Sequence, residues 1–105
     1  FETIENVDIS KDSNIAELDA SMIQFPIWIR PWAPGDYFYP LGLPKKKKIS
    51  RFLIDHKLSK PQKERVWVVE SDKKIIWVSG LRIDHRFRVM DKTQKRLRIT
   101  LVSSK

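Results

Sequence analysis

Val66-Trp67-Val68-Val69-Glu70-Ser71-Asp72-Lys73-Lys74-Ile75-Ile76-Trp77-Val78 decides the fold class of this chain. Two short runs of β-branched and aromatic residues flank Ser71-Asp72-Lys73, a pattern that predicts a β-hairpin. Gly80 is expected to end the second strand, since glycine admits the backbone angles of a turn. Further along, Arg82 to Val89 and Arg96 to Val102 alternate apolar and polar residues with the period of a half-buried strand. Ile83, His85, Phe87 and Val89 share one face of the first, and Arg82, Asp84, Arg86 and Arg88 the other. On the second, Leu97, Ile99 and Leu101 face inward and Arg96 and Arg98 outward. If the two strands pair across Met90 to Lys95, their apolar rows share the core and both arginine rows share the outer face.

Working back toward the start, Pro26-Ile27-Trp28-Ile29-Arg30 reads as a strand bounded by Pro26 and Pro31. Pro31-Trp32-Ala33-Pro34-Gly35-Asp36 is a turn or loop, and Tyr37 to Gly42 continues as irregular extended chain. From about 47 to 58 the period changes: Ile49, Phe52, Leu53 and His56 share one helical face, which predicts a helix of about three turns stopped before Pro61. A short turn of helix from Lys60 to Arg65 is expected next. Ala16-Glu17-Leu18-Asp19 is strand-like, and Phe1 to Ile9 reads as an edge strand or linker ending in a turn at Ser10 to Asn14. The expected class is mainly β (α+β) with one main helix.

A length of 105 residues suits one small domain, and 41% hydrophobic content with four tryptophans argues against disorder. No signal-like n-region, apolar run and cleavage site follow Phe1, so a secretory signal is not expected. The apolar runs are far shorter than the roughly 20 residues of a spanning helix, so no membrane partner is expected. The absence of cysteine excludes a disulfide scaffold or thiolate metal site and is compatible with a reducing cytoplasm. Charge divides the chain. Residues 1–25 carry one basic and six acidic residues, a net of −5, whereas residues 26–105 carry 20 basic and seven acidic, a net of +13. Residues 1–25 are therefore expected as an acidic strand or linker joining a preceding domain, and 26–105 as a basic domain whose field favours a polyanion or an anionic membrane.

Two cationic clusters stand out. Same-face arginines on a strand sit roughly 6–7 Å apart, comparable to phosphate spacing, so Arg82, Arg86 and Arg88 could follow a nucleic-acid backbone. They could equally form a solvated outer face. Lys45-Lys46-Lys47-Lys48 belongs in a solvated loop or first helical turn, where a bound anion would relieve both mutual repulsion and the helix dipole. Lys57, Lys60, Lys63 and Arg65 extend that region, with the bare charge run as the alternative. Trp28, Trp67 and Trp77 are expected in the core, and Trp32 as a loop anchor that could instead stack on a base. Arg30 with Asp36 is read as a loop-bracing ion pair or Asp36 as a Gly-Asp turn cap, with Gly35, Asp36, Gly42 and Gly80 as structural turn residues. Catalysis has no support: His56 and His85 lie on apolar faces, and no metal-ligand spacing exists. Adjacent Asp55 and His56 point apart on a helix, so no triad with Ser50 is expected. The three glycines are too dispersed to cradle a phosphate.

Arg30-Pro31-Trp32-Ala33-Pro34-Gly35-Asp36-Tyr37-Phe38-Tyr39-Pro40-Leu41-Gly42 resembles the R-x-x-x-x-G-D-x-F-x-P-x-G signature of the C-terminal domain of bacterial tRNA(Ile)-lysidine synthetases. The resemblance continues through Lys46 to Ser50, the helix to Asp55, Lys60 to Arg65, and Ile76 to Phe87, covering residues 30–88 in order. Family members often carry glycine before the lysines and an acidic residue after the serine, where this chain has Pro44-Lys45 and Arg51. The resemblance implies a parent enzyme that uses ATP and magnesium to ligate lysine to the wobble cytidine of isoleucine tRNA in the cytoplasm. The family's S-G-G-x-D-S signature is absent here, so that chemistry would lie in an N-terminal catalytic domain, a partner within the same chain. This segment would be non-catalytic and hold no cofactor. Its fold would be a small β-sandwich similar to a domain of the phenylalanyl-tRNA synthetase β subunit, gripping the tRNA acceptor region. The candidate tRNA-binding residues are Arg30, Lys45, Lys46, Lys47, Lys48, Arg51, Arg65, Arg82, Arg86 and Arg88. The alternative is a basic protein-docking module without RNA contact.

Overall fold

A computed structural model of the chain describes residues 2–4, 14–43 and 45–101, and the first three of these by backbone only. The strands are Glu2–Ile4 (β1), Ile15–Asp19 (β2), Ile27–Pro31 (β3), Tyr37–Phe38 (β4) and Lys47–Lys48 (β5), followed by Trp67–Ser71 (β6), Lys74–Val78 (β7), Arg82–Ile83 (β8) and Arg96–Thr100 (β9). Helices Ile49–Asp55 (α1) and Lys60–Glu64 (α2) lie between β5 and β6. All pairings are antiparallel, in sheets ordered β1-β9-β2, β3-β6-β7-β8 and β4-β5. The mainly β expectation holds. Of the N-terminal stretch, Glu2–Ile4 and Ile15–Asp19 are strands; the expected turn at residues 10–13, the distal Val102 and Pro44 lie outside the described residues.

The central strands β6 and β7 of the four-stranded sheet are buried on both faces, which explains why they read as nearly continuous apolar runs. One face joins Val69, Ile76 and Trp77 to Ala16, Leu18, Phe87, Leu97 and Ile99 from the three-stranded sheet and its neighbours. The other joins Val68, Ile75 and Val78 to Phe38 of β4 and to Ile49, Phe52 and Leu53 of α1. Each large side chain wholly buried in this way contributes roughly 1.5–3 kcal/mol. The hairpin at residues 71–74 forms as expected, closed by Asp72 and Lys73 at φ of 49° and 64°.

Three expectations need correction. The helix is shorter than 47–58, because Lys47-Lys48 pairs with Tyr37-Phe38 as β5 and Lys57 takes a left-handed φ of 56° that ends the run. The lysine run is therefore not the first turn of a helix. Next, Arg82–Val89 does not pair with Arg96–Val102. Asp84, with no exposed surface, accepts hydrogen bonds from the amides of Tyr39 (2.9 Å) and Arg86 (2.8 Å), and this turns the chain into a 3-10 segment over His85–Phe87. Strand β9 instead lies between β1 and β2. Finally, Trp28 and Trp67 are 61% and 45% exposed rather than core, because β3 is an edge strand and Val68 and Val69 already fill both faces of β6. Trp77 is buried as expected.

Candidate nucleic-acid interface

The loop after β3 is fixed by the Arg30–Asp36 pair. Arg30 Nη1 and Nη2 donate to the two Asp36 carboxylate oxygens at 2.8 and 3.0 Å, and its Nε donates to Glu70 Oε1 at 3.0 Å. Asp36 Oδ2 also accepts from the Ala33 amide at 2.7 Å, and the Asp36 carbonyl accepts from the Ile49 amide at the start of α1. Gly35, at φ 95°, makes the bend that brings these groups together, a conformation other residues rarely adopt. The Asp36 hydrogen bond, above all, raises the Arg30 pKa against the opposing effect of burial. Burial pushes the Asp36 carboxyl up, but the Arg30 bond and charge and the Ala33 amide outweigh it and hold it below the usual carboxylate range. A depressed folded-state pKa stabilises the fold above the unfolded-state value and loses that contribution as pH falls through the folded one. Asp36→Asn should therefore flatten the acid limb of a stability-versus-pH curve below about pH 4, measured by thermal melts.

Trp32 is the loop anchor expected from sequence: its indole Nε1 donates to the Lys63 carbonyl at 2.7 Å. Trp32→Phe should cost about 1 kcal/mol in chemical denaturation, the worth of one such bond.

Beyond this brace, tyrosines and cations interleave. Lys46 Nζ lies 4.2 Å above the Tyr37 ring, and Tyr37 meets Tyr39 edge-on at 6.3 Å. The Arg86 guanidinium stacks on Tyr39 at 4.3 Å while donating from Nε and Nη2 to the buried Asp84 at 3.0 and 2.9 Å. Arg82 packs 5.5 Å from the Phe52 ring, next to the β5–α1 corner. Lys47 and Arg51 both reach Asp55, whose pKa is lowered first by the Lys47 hydrogen bond. Lys45 and Lys48 are exposed, and no carboxylate among the described residues pairs with them. A small pocket gathers Arg30, Asp36, Tyr37, Lys73, Lys74 and Arg86.

Of the ten cations expected from sequence, then, Arg30, Lys46 and Arg86 meet around Tyr37 and Tyr39. Lys47, Lys48, Arg51 and Arg82 flank them on β5, α1 and β8. Lys45 precedes the flank. Arg65 ends α2, and Arg88 donates to the His85 carbonyl at 2.9 Å beside Leu18; among the described residues, no side-chain contact ties either to this surface. Arg96 and Arg98 face the buried Glu17 instead. Gly42 and Gly80 do lie in turns, and a Cβ on Gly80 would meet Leu101 Cδ2 at 3.3 Å. Sequence reading missed Lys73, Lys74 and the pairing of Tyr37 with Tyr39; a lysine at a hairpin position that favours glycine was the available signal.

His56 packs on Phe52 with ring centroids 4.1 Å apart, and His85 is half-buried. Among the described residues, no cluster of three or more His, Cys, Asp or Glu could hold a metal, and no helix is long and apolar enough to cross a membrane.

Residues 27–100 match the family model described as the TilS substrate C-terminal domain. The chain is 42% identical over 87 residues to the tRNA(Ile)-lysidine synthase of Parabacteroides distasonis, covering 83% of the chain and 20% of that relative. It is 44% identical over 89 residues to the enzyme of the same name from Bacteroides thetaiotaomicron, covering 85% and 21%. The chain thus spans about a fifth of the length of these curated relatives. A solved structure described as the crystal structure of the TILS C-terminal domain superposes with a TM-score of 0.75 at 20% identity, covering 96% of this chain and 82% of that one, which shows the fold.

Proposed function

Because the chain belongs to the family of TilS substrate C-terminal domains, we propose that it is the tRNA-holding module of a larger tRNA(Ile)-lysidine synthase. The ligation itself, with its ATP and magnesium, belongs to an N-terminal catalytic domain of the same polypeptide, and the chain described here supplies no catalytic group. Its role is to bind the acceptor region of isoleucine tRNA in the cytoplasm and so present the wobble cytidine to that domain.

The observation that carries this reading is the cation-and-tyrosine surface from Lys45 to Arg86. Lys45, Lys46 and Lys48 have no carboxylate partner among the described residues, so their charge is available to an external anion. Arg86 is held over the Tyr39 ring by Asp84, which fixes a guanidinium in place before any ligand arrives and so lowers the entropy lost on binding. Phosphate contacts of this kind position a nucleic acid by charge and shape. Lys47, Arg51 and Arg30 have carboxylate partners, so their share is smaller.

Replacing Lys45, Lys46 and Lys48 together with alanine tests it. Each phosphate-neutralising cation adds about 0.7–0.9 to the log–log salt slope, so affinity for tRNA should fall roughly a hundredfold at 0.1 M salt. Unchanged affinity would overturn the assignment of the lysines. A second reading, a protein-docking module, draws on the apolar groove lined by Ile29, Trp67, Trp77, Ile99 and Leu101. Salt-sensitive tRNA binding that survives Trp67→Ser in this groove supports the first reading; no tRNA binding by the folded chain supports the second.

A further inference from the structure

The tip of the β6–β7 hairpin is unusual. Tight two-residue turns of this kind place both central residues at positive φ, and glycine is strongly favoured at the second. Here Asp72 and Lys73 occupy these positions at 49° and 64°. Lysine gains nothing locally from a left-handed backbone, so the turn is less stable than one with Asp-Gly would be. What the substitution does supply is a second ammonium beside Lys74.

Both lysines line the small pocket opened against Arg30, Asp36, Tyr37 and Arg86. Its volume of about 80 Å³ has room for one tetrahedral oxyanion. Arg30 and Asp36 form one wall as a mutually satisfied pair. Arg86 directs Nε and Nη2 to Asp84, and no acceptor among the described residues engages its Nη1. Lys73 and Lys74 have no ion-pair partner among the described residues. Four cations and one carboxylate line the pocket; counting Glu70 and Asp84 behind the wall still leaves a surplus of one positive charge. Tyr37, 42% exposed, borders the same pocket and carries Lys46 on its ring, which joins the pocket to the lysine run.

We propose that Lys73, Lys74 and Arg86 form a phosphate-binding subsite at the hairpin tip. The ligand chemistry is a phosphate oxyanion, supplied either by an RNA backbone or by free phosphate. In the first case the subsite extends the tRNA surface proposed above and rests on that reading; in the second it stands alone.

The test uses the whole chain labelled with 15N and titrated with inorganic phosphate. Saturable shifts are expected at the Lys73 and Lys74 amides and at Arg86 Nε, and they should vanish in K73Q/K74Q but persist in K92Q/K95Q, a pair outside the pocket. Lys73→Gly adds a readout that a purely structural lysine would not move: the melting temperature should rise as the turn relaxes, while phosphate affinity falls severalfold. A higher melting temperature with unchanged phosphate affinity overturns the proposal, as does the absence of saturable shifts. A tRNA arm identifies the source. If the phosphate is RNA's, K73Q/K74Q lowers the log–log salt slope by about 1.5. An unchanged slope with inorganic phosphate still bound assigns the subsite to free phosphate. Phosphate shifts without any tRNA binding sustain the subsite and sink the tRNA reading, whereas tRNA binding without phosphate shifts does the opposite.

Discussion

Asp84→Ala should destabilise the fold by about 3–5 kcal/mol in urea denaturation, because it strips one partner from a buried, hydrogen-bonded ion pair. Asp84 has no exposed surface and accepts four hydrogen bonds, from the Tyr39 and Arg86 amides and from Arg86 Nε and Nη2. It stitches β4's continuation to the 3-10 segment and holds Arg86 on Tyr39. Alanine leaves the two amides without that acceptor, and each such buried group costs about 1–3 kcal/mol. The Arg86 side chain is 33% exposed and can recover some solvation, so the loss belongs toward the lower end of the range. Asp84→Asn keeps the volume and one acceptor oxygen and should fall between. Arg86 would also lose its fixed position, so the alanine variant should bind tRNA more weakly even where it is folded. A loss under about 1 kcal/mol would show that the carboxylate's desolvation cancels its bonds.

Glu17→Ala should have an effect of similar size. Glu17 lies on β2 directly opposite Arg98 of β9, with its side chain 2% exposed; Oε1 accepts from Arg98 Nη2 at 3.0 Å and Oε2 lies 3.9 Å from Arg96 Nη1. Arg96 is only 16% exposed, so removing the carboxylate leaves its guanidinium with little water to replace the lost partner, while Arg98, 25% exposed, loses the 3.0 Å bond to Glu17. Breaking a buried pair in this way typically costs about 3–5 kcal/mol. Replacing Glu17 with methionine and both arginines with leucine or methionine should restore much of that loss, since apolar groups of similar volume need no partner. If Glu17→Ala alone were neutral, the pair would be solvated rather than structural.

The sequence made legible whatever depends on neighbours along the chain. The 67–78 hairpin follows from its own turn, the Ala16–Asp19 strand from its own apolar–acidic alternation, and the Arg30–Asp36 brace from a loop only six residues long. The short helix after Ser59 follows from a capping box in which Ser59 and Gln62 bond reciprocally. Membership of the family was legible too, from motifs ordered over 30–88 that fall inside the matched 27–100. What escaped was partner choice. Alternation correctly places Leu97 and Ile99 inward, but alternation is identical whichever strand lies alongside, and nothing local announces that β9 sits between β1 and β2. The arginine face was lost for the same reason: Asp84, read as an outward residue among arginines, is the buried group that bends the chain. Trp28 and Trp67 look like core by composition, yet Trp28 sits on the edge strand β3 and Trp67 opens β6 ahead of the Val68 and Val69 that fill its two faces, so both stay in solvent. The Tyr37–Tyr39–Arg86 arrangement joins residues from two distant segments, so only the fold could bring it together.

The charge-based account is tested most directly by the tRNA affinity of the unmodified chain across a salt series. Lys45, Lys46, Lys48 and Arg86 acting on phosphates predict a log–log slope of about −3 to −4, steeper by about 1.5 if Lys73 and Lys74 also neutralise RNA phosphates. A slope near zero, or binding that strengthens with salt, would contradict it.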